Sequence, residues 1–254
     1  MKKAAISFVQ RLADKEPLLG SLVSTGSTEV SEALSLCGFE WLFLDVEHSV
    51  LDMASAQRIV QTVAARTYCV IRLPHNSPEH FKKALDTGCD GIVVPLVNSA
   101  VEAKAAVDCA KYTPLGSRGV GLARAQGYGL NFSEYLRSAN QEIALILQIE
   151  HKKAVEQIEE IVNVPGIDAI FIGPYDLSAS MGLLGQPGAS DVVGAIRHVR
   201  QVCVNREIPF GSFCMTPNHA LDEIANGGTL IVLGSDLSFM TNSAKAALGT
   251  VCDR

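Results

Sequence analysis

Four short groups of polar residues each follow directly after an apolar run of the chain. They are Asp45-Val46-Glu47-His48, Arg72, Gln148-Ile149-Glu150 and Gly173-Pro174-Tyr175-Asp176. A buried strand has no structural need for such residues at its end. Carboxylates, an imidazole and a guanidinium brought together could move protons, hold a cation and neutralise an anion.

The first group offers a general acid or base. His48 is the candidate, since imidazole titrates near neutrality and is the usual proton carrier. Asp45 is the local carboxylate that could orient it. The alternative is an ordinary polar loop in which Ser49 caps the following helix.

Arg72 follows an apolar run without an intervening residue. A guanidinium in that position needs an anion, which would be either a substrate carboxylate or a protein carboxylate. Glu47 is the candidate protein partner, so a purely structural ion pair remains an alternative.

Glu150 and Asp176 end two successive apolar runs and would repel each other unless a cation lay between them. One or two carboxylates, completed by water and substrate oxygens, commonly hold a small divalent ion. Gln148 and Glu150 point to the same side of a strand, because side chains alternate with period two. This supports a shared inward site.

The fourth group looks like a strand that runs into a short helix. The N–H groups of Tyr175 and Asp176 would then face outward at the helix start and could bind a carboxylate. The alternative is that Asp176 only caps the helix. Together, a cation, a carboxylate-binding turn, an arginine and a histidine suit the enolisation of a 2-oxo acid.

Short continuous apolar runs, typical of parallel strands covered on both faces, recur along the whole chain. The predicted strands are 18–23, 41–44, 68–71, 91–94, 143–147, 167–172, 209–213 and 230–233. Strand and helix alternate about eight times, which predicts an α/β protein with the (β/α)₈ TIM-barrel fold. A doubly wound sheet is the rival, but no Gly-x-Gly-x-x-Gly turn follows the first strand. In a barrel, all four polar groups would meet at the carboxyl ends of the strands.

Helix signals fall between these runs. Ser77-Pro78 predicts a helix start, Gly88 a helix end and Asn98-Ser99 a further start, and 156–161 has helical apolar spacing. The connection Lys111–Asn140 is far longer than the usual ~2–6 residues and is rich in Gly and Arg. It is either an ordered contact with a neighbouring subunit or a flexible insertion.

Composition narrows the class of protein. The chain has 254 residues, a net charge of −6 and 48% hydrophobic residues, and we expect one domain over residues 1–254. The negative charge gives no basis for nucleic-acid binding, and no apolar run is long enough for a membrane span.

The N-terminal stretch 1–9 resembles a secretory signal only until Gln10 and Arg11 interrupt it. The 7 cysteines include no Cys-x-x-Cys pair, so we expect a reduced, cytoplasmic protein.

The chain resembles the HpcH/HpaI family of metal-dependent (class II) pyruvate aldolases, such as 4-hydroxy-2-oxo-heptanedioate aldolase and the 2-dehydro-3-deoxy sugar-acid aldolases. The resemblance rests on several ordered motifs, which are Leu44-Asp45-Val46-Glu47-His48, Val70-Ile71-Arg72-Leu73-Pro74, Ala84-Leu85-Asp86-Thr87-Gly88, Val94-Pro95-Leu96-Val97, Ser117-Arg118-Gly119-Val120-Gly121, Gln148-Ile149-Glu150 and Phe171-Ile172-Gly173-Pro174-Tyr175-Asp176-Leu177-Ser178.

This resemblance implies roles for particular residues. Glu150 and Asp176 would hold a divalent ion (Mg²⁺, Mn²⁺ or Co²⁺), His48 would be the catalytic base, and Arg72 would stabilise the enolate. Gln148 and the backbone at Tyr175 and Asp176 would hold the oxo acid. Asp86, otherwise a solvated acid near a helix end, would raise the basicity of His48 from a neighbouring subunit, in competition with Asp45.

The implied reaction is cleavage of a 4-hydroxy-2-oxo acid to pyruvate and an aldehyde. The implied assembly is a homo-oligomer, for which a hexamer is one candidate, with the site near a subunit interface. Alternatives are a decarboxylase or citryl-type lyase that acts on another oxo diacid, and a barrel that binds an oxo acid without turnover. Two departures from the family, Tyr175 and the stretch Phe213-Cys214-Met215-Thr216, bear on the aldehyde half of the pocket.

Overall fold

The chain forms a closed barrel of eight parallel strands. The computed structural model describes residue 3 and residues 6–252. The strands pair in sequence order and the last pairs with the first, so the predicted TIM barrel is confirmed. They are β1 (Leu18–Val23), β2 (Trp41–Asp45), β3 (Tyr68–Arg72), β4 (Gly91–Val94), β5 (Ala144–Ile149), β6 (Ala169–Ile172), β7 (Phe210–Cys214) and β8 (Leu230–Ser235).

Helices follow every strand and cover the barrel. They are α1 (Phe8–Ala13), α2 (Thr28–Leu36), α3 (Met53–Val63), α4 (Pro78–Asp86), α5 (Ala100–Ala110), α6 (Phe132–Glu142), α7 (Lys152–Glu156), α8 (Ile158–Val162), α9 (Pro174–Ser180), α10 (Ser190–Asn205), α11 (Pro217–Ala225) and α12 (Asp236–Cys252). Within the described part of the chain, no helix combines the length and apolarity that a membrane span requires.

Several predicted helix boundaries are confirmed. Helix α4 begins after Ser77 with Pro78 in its first position, and Gly88 follows its end with a φ of +75°, which glycine adopts without strain. Ser99 caps α5 through its side chain. One expectation was wrong, because the helix predicted over 156–161 is broken at Gln157. Helix α3 is capped by Asp52, so the alternative in which Ser49 caps it does not hold.

The barrel interior is filled at its N-terminal end by aromatic packing. Phe8 of α1 is completely buried against Trp41 and Tyr68, with ring centroids 5.8 and 5.1 Å away. Gly20 is required beside Trp41, because a Cβ there would lie 2.5 Å from the indole. Part of the signal-like stretch 1–9 is thus a structural helix, while Met1, Lys2, Ala4 and Ala5 lie outside the described residues. The opposite, C-terminal end of the barrel carries the polar residues.

The long connection after α5 is folded. It contains a 3₁₀ helix (Arg124–Gly129) and then α6, neither of which was expected from the sequence. Arg118 is buried within it, with its guanidinium carbon 4.6 Å from the ring centre of Tyr112 and 5.6 Å from that of Tyr135. The connection also exposes a set of large apolar side chains, Leu115, Val120, Leu122, Tyr128 and Leu130.

A single carboxylate joins the two ends of the closed sheet. Asp236, at the start of α12, accepts hydrogen bonds from the backbone N–H groups and the hydroxyls of both Ser24 and Thr25, at 2.8–3.0 Å. These residues follow β1, so the link spans the seam where β8 meets β1. It fixes the seam beside the C-terminal mouth.

Candidate active site

Arg72 and Asp45 form a two-point ion pair at the ends of neighbouring strands. They are register partners in the pairing of β2 with β3. Arg72 Nε donates to Asp45 Oδ1 at 3.0 Å, and Nη2 donates to Oδ2 at 2.7 Å. Both side chains are buried. Burial opposes ionisation of Asp45, but the hydrogen bonds and charge of Arg72 outweigh it and lower the pKa of this carboxyl.

Glu47 is a second carboxylate beside Arg72. Its Oε2 lies 3.2 Å from Arg72 Nε, but the single N–H of Nε is directed at Asp45, so Oε2 is buried without a hydrogen bond from any residue that the structure describes. Burial, together with the charges of Glu150, Asp45 and Asp176, raises the pKa of Glu47 to about 7 in spite of Arg72. The ion pair expected between Arg72 and Glu47 is therefore present, although Asp45 is the stronger partner.

His48 extends from the same segment into the mouth of the barrel. Its side chain is 61% exposed, and Nε2 lies 3.8 Å from Glu47 Oε2. Asp45 does not bond the imidazole. Its Oδ1 instead accepts the backbone N–H groups of Glu47 and His48, each at 3.1 Å. Asp45 therefore fixes the backbone that carries His48, and Glu47 is the carboxylate nearest the ring within this chain.

Glu150 is held in place by two donors. Leu96 N–H donates to Oε1 at 2.7 Å, and Gln148 Nε2 donates to Oε2, as expected if both side chains point inward. Leu96 has a φ of +54°, a strained conformation for leucine that directs its N–H to the carboxylate. Burial, with an added contribution from the charge of Asp176, raises the pKa of Glu150.

The turn after β6 completes this side of the mouth. Helix α9 begins with Pro174 and has no side-chain cap, so Asp176 does not cap it through its side chain. The first N–H that bonds within the helix belongs to Leu177, which donates to Gly173. The N–H groups of Tyr175 and Asp176 are thus at the helix start, as predicted for an anion-binding turn.

The donor set fits a divalent cation. Among the described residues, Glu150 is buried and accepts two hydrogen bonds, and Gln148 Oε1 and Glu47 Oε2 are buried without any. The charge of Asp176 acts on both glutamates. Gly173 leaves the space this requires, because a Cβ there would lie 2.8 Å from Glu150 Cβ and 3.1 Å from its Oε2. Hard cations take such oxygen ligands. Among the described residues, no three His, Cys, Asp or Glu side chains form a complete metal-binding cluster by themselves.

A cavity of about 160 Å³ opens between these groups. Arg72, Gln148, Asp176 and His48 are the polar residues in its wall. The remaining wall is largely apolar and comes from Leu22, Phe43, Phe171, Ile172, Gly173, Pro174, Tyr175, Phe213 and Val232. The four polar groups identified in the sequence therefore meet at one cavity.

Asp86 is not part of this cavity in the single chain. It is the last residue of α4, which runs from the C-terminal end of β3 back to the N-terminal end of β4. It lies at the opposite end of the barrel from His48, where Arg118 Nη2 donates to its Oδ1 at 3.3 Å. Asp86 can reach an active-site histidine only in another copy of the chain.

The contributions of two residues, Glu47 and Leu96, to this site were not predicted from the sequence. Glu47 was considered only as a partner of Arg72, although its i, i+2 spacing from Asp45 places both carboxylates near the same strand end. Leu96 contributes a backbone N–H, which leaves no signal in the residue type. His151, which follows Glu150, caps α7, where its Nδ1 accepts a hydrogen bond from the Lys153 N–H at 3.1 Å.

The model of the family described as HpcH/HpaI aldolase/citrate lyase matches residues 22–243 of the chain. This span includes every residue of the cavity wall.

Individual relatives match over nearly the full length. The chain is 34% identical over 249 residues to a hydroxypyruvate/pyruvate aldolase of Paraburkholderia phytofirmans, with 95% of each chain covered. It is 34% identical over 232 residues to a 2-dehydro-3,6-dideoxy-6-sulfogluconate aldolase of Pseudomonas putida, with 91% of each covered. A crystal structure of a HpcH/HpaI aldolase/citrate lyase family protein from Burkholderia cenocepacia superimposes with a TM-score of 0.92 at 32% identity, covering 96% of this chain and 98% of the other.

Proposed function

The chain belongs to the HpcH/HpaI aldolase/citrate lyase family and is an aldolase. We propose that the residues at the C-terminal mouth of its barrel cleave a 4-hydroxy-2-oxo acid to pyruvate and an aldehyde, with the roles described below. The observation that supports the site is the convergence of Arg72, Gln148 and Asp176 on one cavity at the carboxyl ends of the strands, with Glu150 hydrogen-bonded to Gln148 beside it. Cleavage breaks the C3–C4 bond. The 4-hydroxyl loses its proton, and the bonding electrons pass into the pyruvate enolate.

The oxo-acid half binds on the β5–β6 side of the mouth. Gln148 lines the cavity, and its Oε1 has no protein hydrogen bond among the described residues. The N–H groups of Tyr175 and Asp176 would receive the carboxylate. These contacts orient the C3–C4 bond toward His48.

Arg72 meets the negative charge that develops on the 2-oxo oxygen. Asp45 holds the guanidinium of Arg72 through Nε and Nη2. The orientation of the guanidinium is therefore fixed before the substrate binds. Removal of one such donor costs about 3–4 kcal/mol of transition-state stabilisation in other enzymes.

His48 takes the proton of the 4-hydroxyl. Its exposed position at the mouth leaves the ring accessible to the substrate. We assign the role of increasing its basicity to Asp86 of a second copy, because the Asp86 of the same chain lies at the other end of the barrel. The chain would then act as a homo-oligomer with its site near a subunit interface, and the exposed apolar residues of the folded connection after α5 are suited to such a contact.

Aldolases of this family generally depend on a divalent metal. Glu150 and Asp176 are the residues that would hold it, and Mg²⁺, Mn²⁺ and Co²⁺ are the candidates. When bound, it supplies a Lewis acid that polarises the 2-oxo group. All seven cysteines are free, which supports a reducing, cytoplasmic location.

Exchange of the C3 protons of pyruvate with solvent tests this proposal. We expect exchange to require added Mg²⁺, Mn²⁺ or Co²⁺ and to vanish in Glu150→Gln. Glu160→Gln is the matched control, because Glu160 is exposed on α8. Full exchange in the presence of a chelator would rule the scheme out.

A further inference from the structure

Tyr175 and the stretch 213–216, where the sequence departs from the family pattern, contact each other in the structure. Tyr175 follows β6 and Met215 follows β7, and the Tyr175 hydroxyl donates to Met215 Sδ at 2.8 Å. A thioether is a weak acceptor that also packs well against aromatic rings. The contact therefore fixes a phenol ring at the rim of the cavity, since Tyr175 also lines the wall.

The wall next to Tyr175 is apolar. Phe213 of β7 and Phe171 of β6 line the same cavity as Tyr175, and Leu22 of β1 and Val232 of β8 add further apolar surface. The oxo-acid half is assigned to Gln148 and the start of α9. The apolar wall therefore remains for the other half of the substrate, the part released as the aldehyde.

The charges at the mouth are unfavourable for a second anionic group. Within the described part of the wall, Arg72 is the one basic side chain apart from the imidazole of His48. Arg72 already faces the carboxylates of Asp45 and Glu47. Asp176 and Glu150 would balance the charge of a bound divalent ion, so no positive charge is left over for a second anion. A carboxylate on the aldehyde half would be desolvated without a counter-ion, which is costly.

We propose that Tyr175 determines aldehyde specificity, and that the enzyme acts on substrates whose aldehyde half is uncharged and apolar. Met215 is a positioning residue that holds the phenol ring in place. This inference rests on the proposed aldolase function and adds the substrate class.

The test uses two aldehydes of similar length in the direction of addition to pyruvate. Pentanal is the neutral probe, and 4-oxobutanoate is the probe with a carboxylate. In this direction, pyruvate loses a C3 proton, its C3 bonds to the aldehyde carbon, and the aldehyde oxygen gains a proton. We expect kcat/KM to be at least about tenfold higher for pentanal. An equal or higher value for 4-oxobutanoate would overturn the inference.

Variants identify the residues responsible. Tyr175→Phe keeps the ring but removes the hydrogen bond to Met215, so it should raise KM for pentanal about as much as Met215→Leu, whereas Tyr175→Ala should lose most of the preference. Met215→Leu keeps the volume but removes the acceptor, and should raise KM for pentanal by roughly two- to tenfold with kcat little changed. An unchanged preference in Tyr175→Ala would exclude Tyr175 as the determinant. Tyr175 is 44% exposed and Met215 is 61% exposed, so these substitutions do not create a cavity in the core.

Pyruvate C3 exchange, measured on the same preparations, separates the two proposals. Exchange with a preference for 4-oxobutanoate would overturn the specificity inference and leave the aldolase function intact. Absence of exchange in the unmodified enzyme under metal-replete conditions would overturn both.

Discussion

Arg72 is anchored to Asp45 by two hydrogen bonds between the ends of adjacent barrel strands. Nε and Nη2 are used in this pair, whereas Nη1 makes no hydrogen bond to any described residue. The geometry gives the two residues different tasks. Asp45 fixes the guanidinium and the backbone of Glu47 and His48, while Arg72 keeps donors for a ligand in the cavity.

Asp45→Asn should lower the free energy of unfolding by about 3–5 kcal/mol at pH 7, because it leaves a buried guanidinium without its principal counter-ion. Thermal and urea unfolding would measure the loss. Asp191→Asn, at an exposed position in the first turn of α10, provides the control. A loss no larger than that of Asp191→Asn would contradict the structural task given to Asp45.

The cost of Asp45→Asn should depend on pH. The pKa of Asp45 is lowered in the folded protein, so its ionised form stabilises the fold at pH values above the unfolded pKa of about 3.9. This contribution decreases as the pH falls through the folded pKa. The stability difference between wild type and variant should therefore be constant from about pH 5 to 7 and shrink below about pH 4. If the stability difference between wild type and Asp45→Asn grew as the pH fell, the pKa of Asp45 would be raised in the folded protein, contrary to this prediction.

His48→Asn should reduce kcat for cleavage of a 4-hydroxy-2-oxo acid by roughly 10²–10⁴, the range usual for loss of a general base. Release of pyruvate, coupled to lactate dehydrogenase, measures the rate. His198→Asn is the control, since His198 is exposed on α10. Equal activity of the two variants would remove His48 from the mechanism.

Gly173→Ala should lower the affinity for a divalent metal ion, with a smaller effect on the free energy of unfolding. The new Cβ would lie 3.1 Å from Glu150 Oε2 and 3.2 Å from Gln148 Nε2, so the carboxylate must shift. Displaced supporting groups cost roughly 10–100-fold in metal affinity at other sites. Calorimetric titration with Mn²⁺ measures the change. Gly194→Ala is the matched control, because a Cβ there meets nothing within 4 Å.

Asp86→Asn and His48→Asn should complement each other when the two variants are co-expressed. If every site takes His48 from one copy and Asp86 from another, random mixing restores about one quarter of the sites. Each variant alone should stay nearly inactive. Mixed oligomers, verified by mass, that show no recovery would contradict an active site shared between copies.

The architecture was predictable because eight apolar runs of strand length alternate with helix signals, and all eight begin within two residues of the observed strands. The same pattern placed Arg72 and Glu150 at strand ends, where the structure has them. Helix α6 escaped prediction because its sequence, Phe132–Glu142, is largely polar and lies in a connection dominated by glycine turns.

The pairings within the site were less predictable. Whether Asp45 bonds the imidazole or the guanidinium depends on the register of β2 against β3, which the sequence does not specify. The contribution of Leu96 depends on a positive φ at a residue type that rarely adopts one. The contact between Tyr175 and Met215 joins loops 40 residues apart, so only the folded barrel brings them together.

The link from Asp236 to Ser24 and Thr25 also has a consequence for biosynthesis. These partners are separated by more than 200 residues, so Ser24 and Thr25 are made long before Asp236. Until β8 has been made, β1 exposes an unpaired edge to other nascent chains. The barrel therefore cannot close before its eighth strand is synthesised, and a nonsense mutation before codon 230 would leave an open sheet prone to self-association.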